Sequence, residues 1–275
     1  MGKGGIIGKA NNPTSTIASG IWNLREQYAA KRNSSWPSII YNSAVELVNA
    51  GFTTDGVYLI NLPTVGVTNV YCLLDPKWDG GGWMLAMKAA TGTTFNYSSN
   101  YWTTDNTLNP TDVTQNAGDA KFEVMNKFSA KDIFARWPDI SSNSGQIANV
   151  GTWTWLRNNF NSGNRSTLIS FFSTSSQITV TSGVANTKAS GAWGSGIFSS
   201  QSGFGFYGFN YTGNGSARTR WGFGWNNETD QNSNDVSGGI GMDSSYGSYS
   251  AGDRINCCQD TAGINRQARV EIYVR

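Results

Sequence analysis

From Gly56 onward the apolar residues of this chain come in short runs separated by long polar stretches, and this patterning limits its fold more than any other feature. The runs 56–60, 69–74, 83–88, 168–172, 177–181, 204–210, 218–225 and 268–274 read as strands. Between them lie stretches rich in Asn, Gly, Ser and Trp; loops of that length are usually functional or ordered by a ligand. No internal repeat with a period of 20 to 50 residues is present, so the many tryptophans do not mark a propeller or a solenoid. The expected class is α+β, with small mixed or antiparallel sheets, short helices and long ordered loops.

The first forty residues read differently. Residues 1–18 are rich in Gly, Asn, Ser and Thr and are broken by Pro13, the pattern of an extended arm. Ile21, Leu24 and Tyr28 then fall at helical spacing behind Ser19 as a candidate N-cap, and Trp36-Pro37 closes that segment. A second helix is expected over 43–50, with Val45, Leu47 and Val48 apolar and Gly51 as its stop. The expected organisation is a 1–40 arm that becomes ordered by packing on something else, followed by a 41–275 body.

Composition removes whole classes of chemistry. The chain contains no histidine, which excludes Ser-His-Asp and Cys-His nucleophile systems and His-ligated zinc or iron. Its three cysteines, Cys72, Cys257 and Cys258, cannot fill a four-thiolate metal site and do not form a secreted disulfide framework. Charged residues make up 14% of the chain, against roughly 25% in average domains, so the surface must be built from Asn, Ser, Thr and Gly. Net charge is +2, with acidic and basic residues well mixed, and no basic stripe is available for nucleic acid. No apolar run approaches the ~20 residues needed to cross a bilayer. Residues 1–5 lack a signal-peptide core, so the expectation is a soluble chain made in a reducing cytoplasm.

The densest polar cluster is Trp225-Asn226-Asn227-Glu228-Thr229-Asp230-Gln231-Asn232-Ser233-Asn234-Asp235, followed by Gly238-Gly239-Ile240-Gly241-Met242-Asp243 and Gly252-Asp253. Hard oxygen donors at this density suit a six-to-eight-coordinate calcium ion, although the spacing is not that of an EF-hand. The alternative is an Asn/Asp-rich surface loop bonded to its own backbone. Phe223, Trp225, Tyr246 and Tyr249 flank the cluster, and aromatic faces beside polar groups suit sugars; the same rings could equally be core. Glu228, Asp230, Asp235 and Asp243 are the carboxylates from which a glycosidase pair would be drawn. Gly80-Gly81-Gly82 precedes a strand instead of a helix, so it is not a phosphate loop. Nor do 203–208 or 238–241 carry the Lys-Ser/Thr that follows one.

Four segments carry a resemblance to the fibrinogen-related domains, and within them to the intelectin-like lectins. The most specific runs through Ala44-Val45-Glu46-Leu47, Thr54-Asp55-Gly56-Val57-Tyr58-Leu59-Ile60, Tyr71-Cys72 and Asp79-Gly80-Gly81-Gly82-Trp83-Met84-Leu85. A second lies at Asp119-Ala120-Lys121-Phe122 through Asp132-Ile133-Phe134, which resembles the family's segment in which acidic and aromatic residues precede a short helical stretch. The third is Arg220-Trp221-Gly222-Phe223-Gly224-Trp225-Asn226-Asn227-Glu228, and the fourth is 238–241 with Gly252-Asp253 and the terminal 268–275. The resemblance covers about 40–275 and implies a fibrinogen C-terminal-like fold.

It also implies calcium held by Asn227, Glu228, Asn232, Asn234, Asp243 and Asp253, and host-surface glycan bound at Trp225, Asn232, Asp235, Tyr246 and Tyr249. The family's ligand histidine has no counterpart here, and neither has the cysteine near Ala44 that pairs in the family with the equivalent of Cys72. The head, with Gly20, Trp22, Leu24, Glu26 and Tyr28 followed by Trp36-Pro37, resembles segments of tailed-bacteriophage structural proteins. Together these imply a non-enzymatic, homo-oligomeric virion protein made in the bacterial cytoplasm. Residues 1–40 would anchor it to other virion proteins, and the body would serve as a tail fibre, receptor-binding or head-decoration component. The alternatives are a purely structural decoration or collar protein, and a glycan depolymerase using Glu228 with Asp235 or Asp243.

Overall fold

The computed structural model describes residues 24–33, 39–141, 146–161, 163–174, 176–179, 204–213, 218–226, 229, 236–244, 247–255 and 265–275. The chain divides into two units, Met1–Ile40 and Tyr41–Arg275. In the first, helix α1 spans Leu24–Arg32 and carries Glu26 in its first turn and Lys31 and Arg32 in its last, complementing the helix dipole. The expected start of this helix, near Gly20, lies outside the described residues.

The second unit opens with α2 (Ala44–Asn49). Ser43 caps it by accepting the Glu46 N–H at 3.2 Å, while the Glu46 carboxylate accepts the Asn42 N–H at 2.7 Å. The strands follow as β1 (Gly56–Leu62), β2 (Gly66–Leu73), β3 (Trp83–Ala89), β4 (Ala120–Lys121), β5 (Ile133–Trp137), β6 (Trp153–Arg157), β7 (Ile178–Thr179), β8 (Phe204–Thr212), β9 (Arg218–Asn226), β10 (Val236–Ser244), β11 (Gly247–Ile255), β12 (Asn265–Gln267) and β13 (Val270–Val274). Two further short helices are α3 (Glu123–Lys127) and α4 (Leu168–Ser173). The result is mostly antiparallel sheet with a few short helices.

One sheet has the order β1-β2-β3-β13-β5-β6, with β4 paired to β3; the other is a plain meander, β12-β11-β10-β9-β8-β7. The C-terminal strand β13 is thus central in the first sheet, between β3 and β5, and all five of its residues are buried. An aromatic cluster joins the sheets: Trp155 of β6 lies 5.7 Å from Tyr207, 5.6 Å from Trp221 and 6.5 Å from Phe223, ring centroid to ring centroid. Burying several such rings is the largest apolar contribution available to a fold so poor in charge.

Two expectations need correction. Residues 168–172 form the helix α4 and not a strand: Leu168, Ile169, Phe171 and Phe172 are all buried, a helical spacing, and Thr167 caps the helix by accepting the Ser170 N–H at 3.2 Å. The glycine-rich 236–244 and 247–255, read as loop, are the long strands β10 and β11. Their glycines have a packing cause. Gly208 opposes Gly222, Gly222 opposes Gly239, and Gly239 opposes Gly252, so one row of glycines crosses four strands. A Cβ at Gly222 would lie 2.0 Å from the Gly238 carbonyl oxygen, and one at Gly208 would lie 1.9 Å from that of Ile178. Where backbone approaches this closely only glycine fits.

The first sheet buries charge. Lys88 is fully buried, and its Nζ reaches Asp112 Oδ2 at 2.8 Å, Asn116 Oδ1 at 2.6 Å and the Thr114 carbonyl at 2.9 Å. The Lys88 ammonium holds the Asp112 carboxyl down at about 2. Lys121 is equally buried, but among the described residues its ammonium donates only to the Thr104 carbonyl, at 2.5 Å, and burial pushes it down to about 8.

Two outcomes follow from these features. Gly222→Ala should cost about 3 kcal/mol or more, a fall in Tm of roughly 6–12 °C for a domain of this size, and an unchanged thermal melt would contradict the glycine row. Lys121 has a folded pKa of about 8, below the ordinary 10.5, so the unfolded chain holds its proton to higher pH and stability rises as pH climbs between those values. Between pH 7 and 10 the Tm of the wild type should therefore gain on that of Lys121→Met, and parallel profiles would show that the ammonium is not desolvated.

Candidate binding site

Because β8 to β11 are consecutive antiparallel strands, their connections alternate between two ends of the second sheet. At one end β9 finishes with Trp225 and Asn226, β10 starts at Val236, and β11 finishes with Asp253, Arg254 and Ile255; Val236 opposes both Trp225 and Ile255. At the other end β9 starts at Arg218, β10 finishes at Asp243 and Ser244, and β11 starts at Gly247, Ser248 and Tyr249. At ~3.3 Å per residue, the two ends of β10 lie roughly 25 Å apart.

This separates the residues that the sequence grouped. Trp225 and Asp253 sit at the first end on the strand register, and Asp243 and Tyr249 at the second. Asn227, Glu228, Asn232, Asn234, Asp235 and Tyr246 lie outside the described residues, but the 227–235 segment is tethered at both its ends, through Asn226 and Val236, to the first end. Asp253 opposes Gly238, five residues along β10 from Asp243, so the two backbones are roughly 16 Å apart. Calcium–oxygen distances of ~2.3–2.6 Å cannot span that gap, and one ion cannot take both aspartates. Among the described residues no three of Cys, Asp and Glu converge as a metal group.

The second end is well defined. The Ser98 hydroxyl donates to Asp243 Oδ2 at 2.5 Å, and Asp243 Oδ1 is buried without a hydrogen-bond partner among the described residues. Arg218 opposes Asp243 across the ladder, and Tyr249, half-buried, opposes Met242. Phe223 is fully buried in the aromatic cluster, so this flanking ring is core.

Two residues into β9 from Arg218 stands Arg220, 7% exposed. Its Nε donates to the Tyr97 carbonyl at 2.9 Å, and one terminal nitrogen donates to the Phe172 carbonyl at 3.0 Å and to Asn210 Oδ1 at 3.4 Å. The guanidinium also lies 4.0 Å from the centroid of the Tyr97 ring, a cation–π contact. Burial lowers the Arg220 pKa, and Tyr97 and Asp243 oppose that shift. Gly241 faces it from β10 with φ +63°, and a Cβ there would lie 2.6 Å from Arg220 Cγ.

The same row extends to the flanking strands. Asn210 Nδ2 donates to the Thr174 carbonyl at 3.1 Å and the Phe171 carbonyl at 3.3 Å. Ser250 accepts the Phe95 N–H at 2.9 Å and gives its own N–H to the Gly92 carbonyl at 2.7 Å. Asn210, Arg220, Gly241 and Ser250 thus fasten the 92–102 segment and the C-terminal end of α4 to the sheet.

Sequence reasoning missed Ser98, Tyr97, Asn210 and Arg220, which are remote from one another in the chain. The one legible signal was Arg220 itself, a charge inside a run of aromatic and glycine residues that had to be buried with partners. Cys72 is a free, buried thiol whose pKa burial raises, which makes it a packing residue and not a reactive one. Among the described residues no helix is long and apolar enough to cross a membrane. No family model matches the chain, and no curated protein matches it significantly.

Arg220→Met removes the donors of three buried acceptors and should cost about 3 kcal/mol or more. It should also speed amide exchange at Phe95 and Trp102, which the row holds in place. Asp243→Asn keeps the Ser98 contact and should leave both readouts near wild type; equal damage from the two variants would contradict the assignment.

Proposed function

We propose that this chain is a non-enzymatic, glycan-binding module of fibrinogen-related, intelectin-like build, displayed on a bacteriophage virion and attached to other virion proteins through residues 1–40. The observation that carries the reading is the meander topology, which brings Trp225, both tethers of the 227–235 segment and Asp253 to one end of a sheet with a constrained backbone. An oxygen-rich segment joined at both ends to paired strands keeps its donors near one end of the sheet, which supports a binding site there.

The donor chemistry of Asn227, Glu228, Asn232, Asn234 and Asp253 fits calcium, which would order the segment and offer open coordination positions to sugar hydroxyls. Asn232, Asp235 and the Trp225 indole supply hydrogen bonds and an apolar face for the sugar. Asp243 and Tyr249 belong to the other end of the hairpin and have no part in this site. Single-site affinity is weak, and many copies on a particle convert it to avidity. Oxygen ligands and aromatic faces bind a sugar without any chemical step.

The test is binding of the purified protein to a bacterial surface-glycan array, in calcium and in chelator. The double variant Glu228→Gln/Asn232→Ala should lose at least about tenfold in affinity, worth ~1.4 kcal/mol, whereas Asp243→Asn should bind as wild type. Binding to no glycan in calcium, or loss confined to Asp243→Asn, would overturn the reading. Release of new reducing ends would make the protein a depolymerase.

A further inference from the structure

Around Lys88 the first sheet assembles more than an ion pair. Lys88 lies on β3, a strand paired on both sides, and its side chain is 1% exposed. Its Nζ donates at 2.6 Å to Oδ1 of Asn116, a residue 28 positions away in the chain. Because a C=O bond is ~1.23 Å long, the Asn116 Cγ lies no more than ~3.8 Å from that nitrogen, close to the separation from which bonds form. Asp112 touches both nitrogens: its Oδ2 accepts Lys88 Nζ at 2.8 Å and Asn116 Nδ2 at 2.9 Å, and its Oδ1 accepts the same Nδ2 at 3.0 Å.

The surrounding backbone completes the arrangement. Thr114 braces two members, its hydroxyl donating to Asp112 Oδ1 at 2.8 Å and its carbonyl accepting Lys88 Nζ at 2.9 Å. The Gly118 N–H donates to Asn116 Oδ1 at 2.9 Å, on the oxygen where negative charge would develop if the amide carbon were attacked. A Cβ at Gly118 would lie 3.1 Å from Asn116 Oδ1 and 3.3 Å from Asp112 Oδ2, so glycine is what lets this N–H come close. A desolvated amine, a carboxamide within its reach, a carboxylate between the attacking and the leaving nitrogen, and a donor on the carbonyl oxygen are together the parts of an acyl transfer.

We propose that Lys88 and Asn116 condense into a side-chain isopeptide bond, with Asp112 relaying the protons. Asp112 takes a proton from the Lys88 ammonium, the neutral Nζ attacks Asn116 Cγ, and the Gly118 N–H holds the resulting oxyanion. The Cγ–Nδ2 bond then breaks as Nζ–Cγ forms. Two of the three ammonium protons pass through Asp112 to the departing nitrogen, which leaves as ammonium, and the carboxylate is regenerated. No oxidant, metal or nucleotide is consumed, and the 31% exposure of the Asp112 side chain gives the ammonia a way out. The reaction occurs once per molecule, so a slow step suffices. The product ties β3 covalently to the 109–119 segment, a cross-link that a reducing compartment cannot undo, in a chain whose buried Cys72 is a free thiol. This does not depend on what the second sheet binds.

Mass spectrometry of the purified full chain tests the bond. The denatured wild type should weigh about 17 Da less than its sequence, the mass of one ammonia, and its digest should contain a branched peptide joining the Lys88 and Asn116 segments. Asp112→Asn, which cannot relay protons, should keep its full sequence mass and yield only linear peptides. The wild-type measurement needs no variant to fold. A wild type that stays at its sequence mass after prolonged incubation would overturn the proposal. So would a loss of ammonia confined to one linear peptide, which marks a cyclic imide at an asparagine, and a branched peptide in Asp112→Asn would overturn the role given to Asp112.

Discussion

A buried guanidinium whose hydrogen bonds, among the described residues, go to two backbone carbonyls and an amide oxygen organises the second sheet. Arg220 bonds two backbone carbonyls and an Asn side-chain oxygen and lies over the Tyr97 ring. Its partners come from the 92–102 segment, from α4 and from the neighbouring strand β8, three pieces remote in sequence. A cation buried among fixed dipoles is costly to dislodge, because any rearrangement leaves either the charge or its acceptors dry and unpaired. The same row needs Gly241 at positive φ to leave room for the Arg220 side chain, and the glycine row beside it brings neighbouring backbones unusually close. Polar bonding and bare backbone thus act together, giving a long-stranded sheet with little freedom to slip in register.

With that rigidity comes a chemical difference between the two ends of the sheet. A meander sends alternate connections to opposite ends, so residues ten positions apart in the chain can be held well apart in space. The oxygen-rich 227–235 segment is tethered to one end, and Asp243 with its Ser98 partner occupies the other. Binding proteins commonly place recognition on loops carried by a stiff scaffold, and the glycine and arginine rows supply that stiffness here.

Much of the strand pattern could be read directly. Gly56–Leu62, Trp83–Ala89, Phe204–Thr212 and Arg218–Asn226 have β-branched or aromatic runs bounded by turn residues, and the Ser43 cap marks α2. What stayed hidden had physical causes. Val236–Ser244 and Gly247–Ile255 carry so much glycine and serine that local propensity favours loop, and only the tight cross-strand backbone contacts, a tertiary property, explain those residues. Leu168–Ser173 is six residues of nearly continuous apolar side chains, a length at which helix and strand share one signature. The ligand set was legible as chemistry but not as geometry: without the β10–β11 hairpin, Asp243 and Asp253 look like neighbours.

The central claim is that the two ends of the second sheet are chemically distinct and that the oxygen-rich end is the ligand-binding one. Crystals grown in calcium and measured for anomalous scattering test it most directly. The account predicts an ion between the 227–235 segment and Asp253, with none at Asp243. An ion seated on Asp243 and Ser98, or no ion at either end, would contradict it.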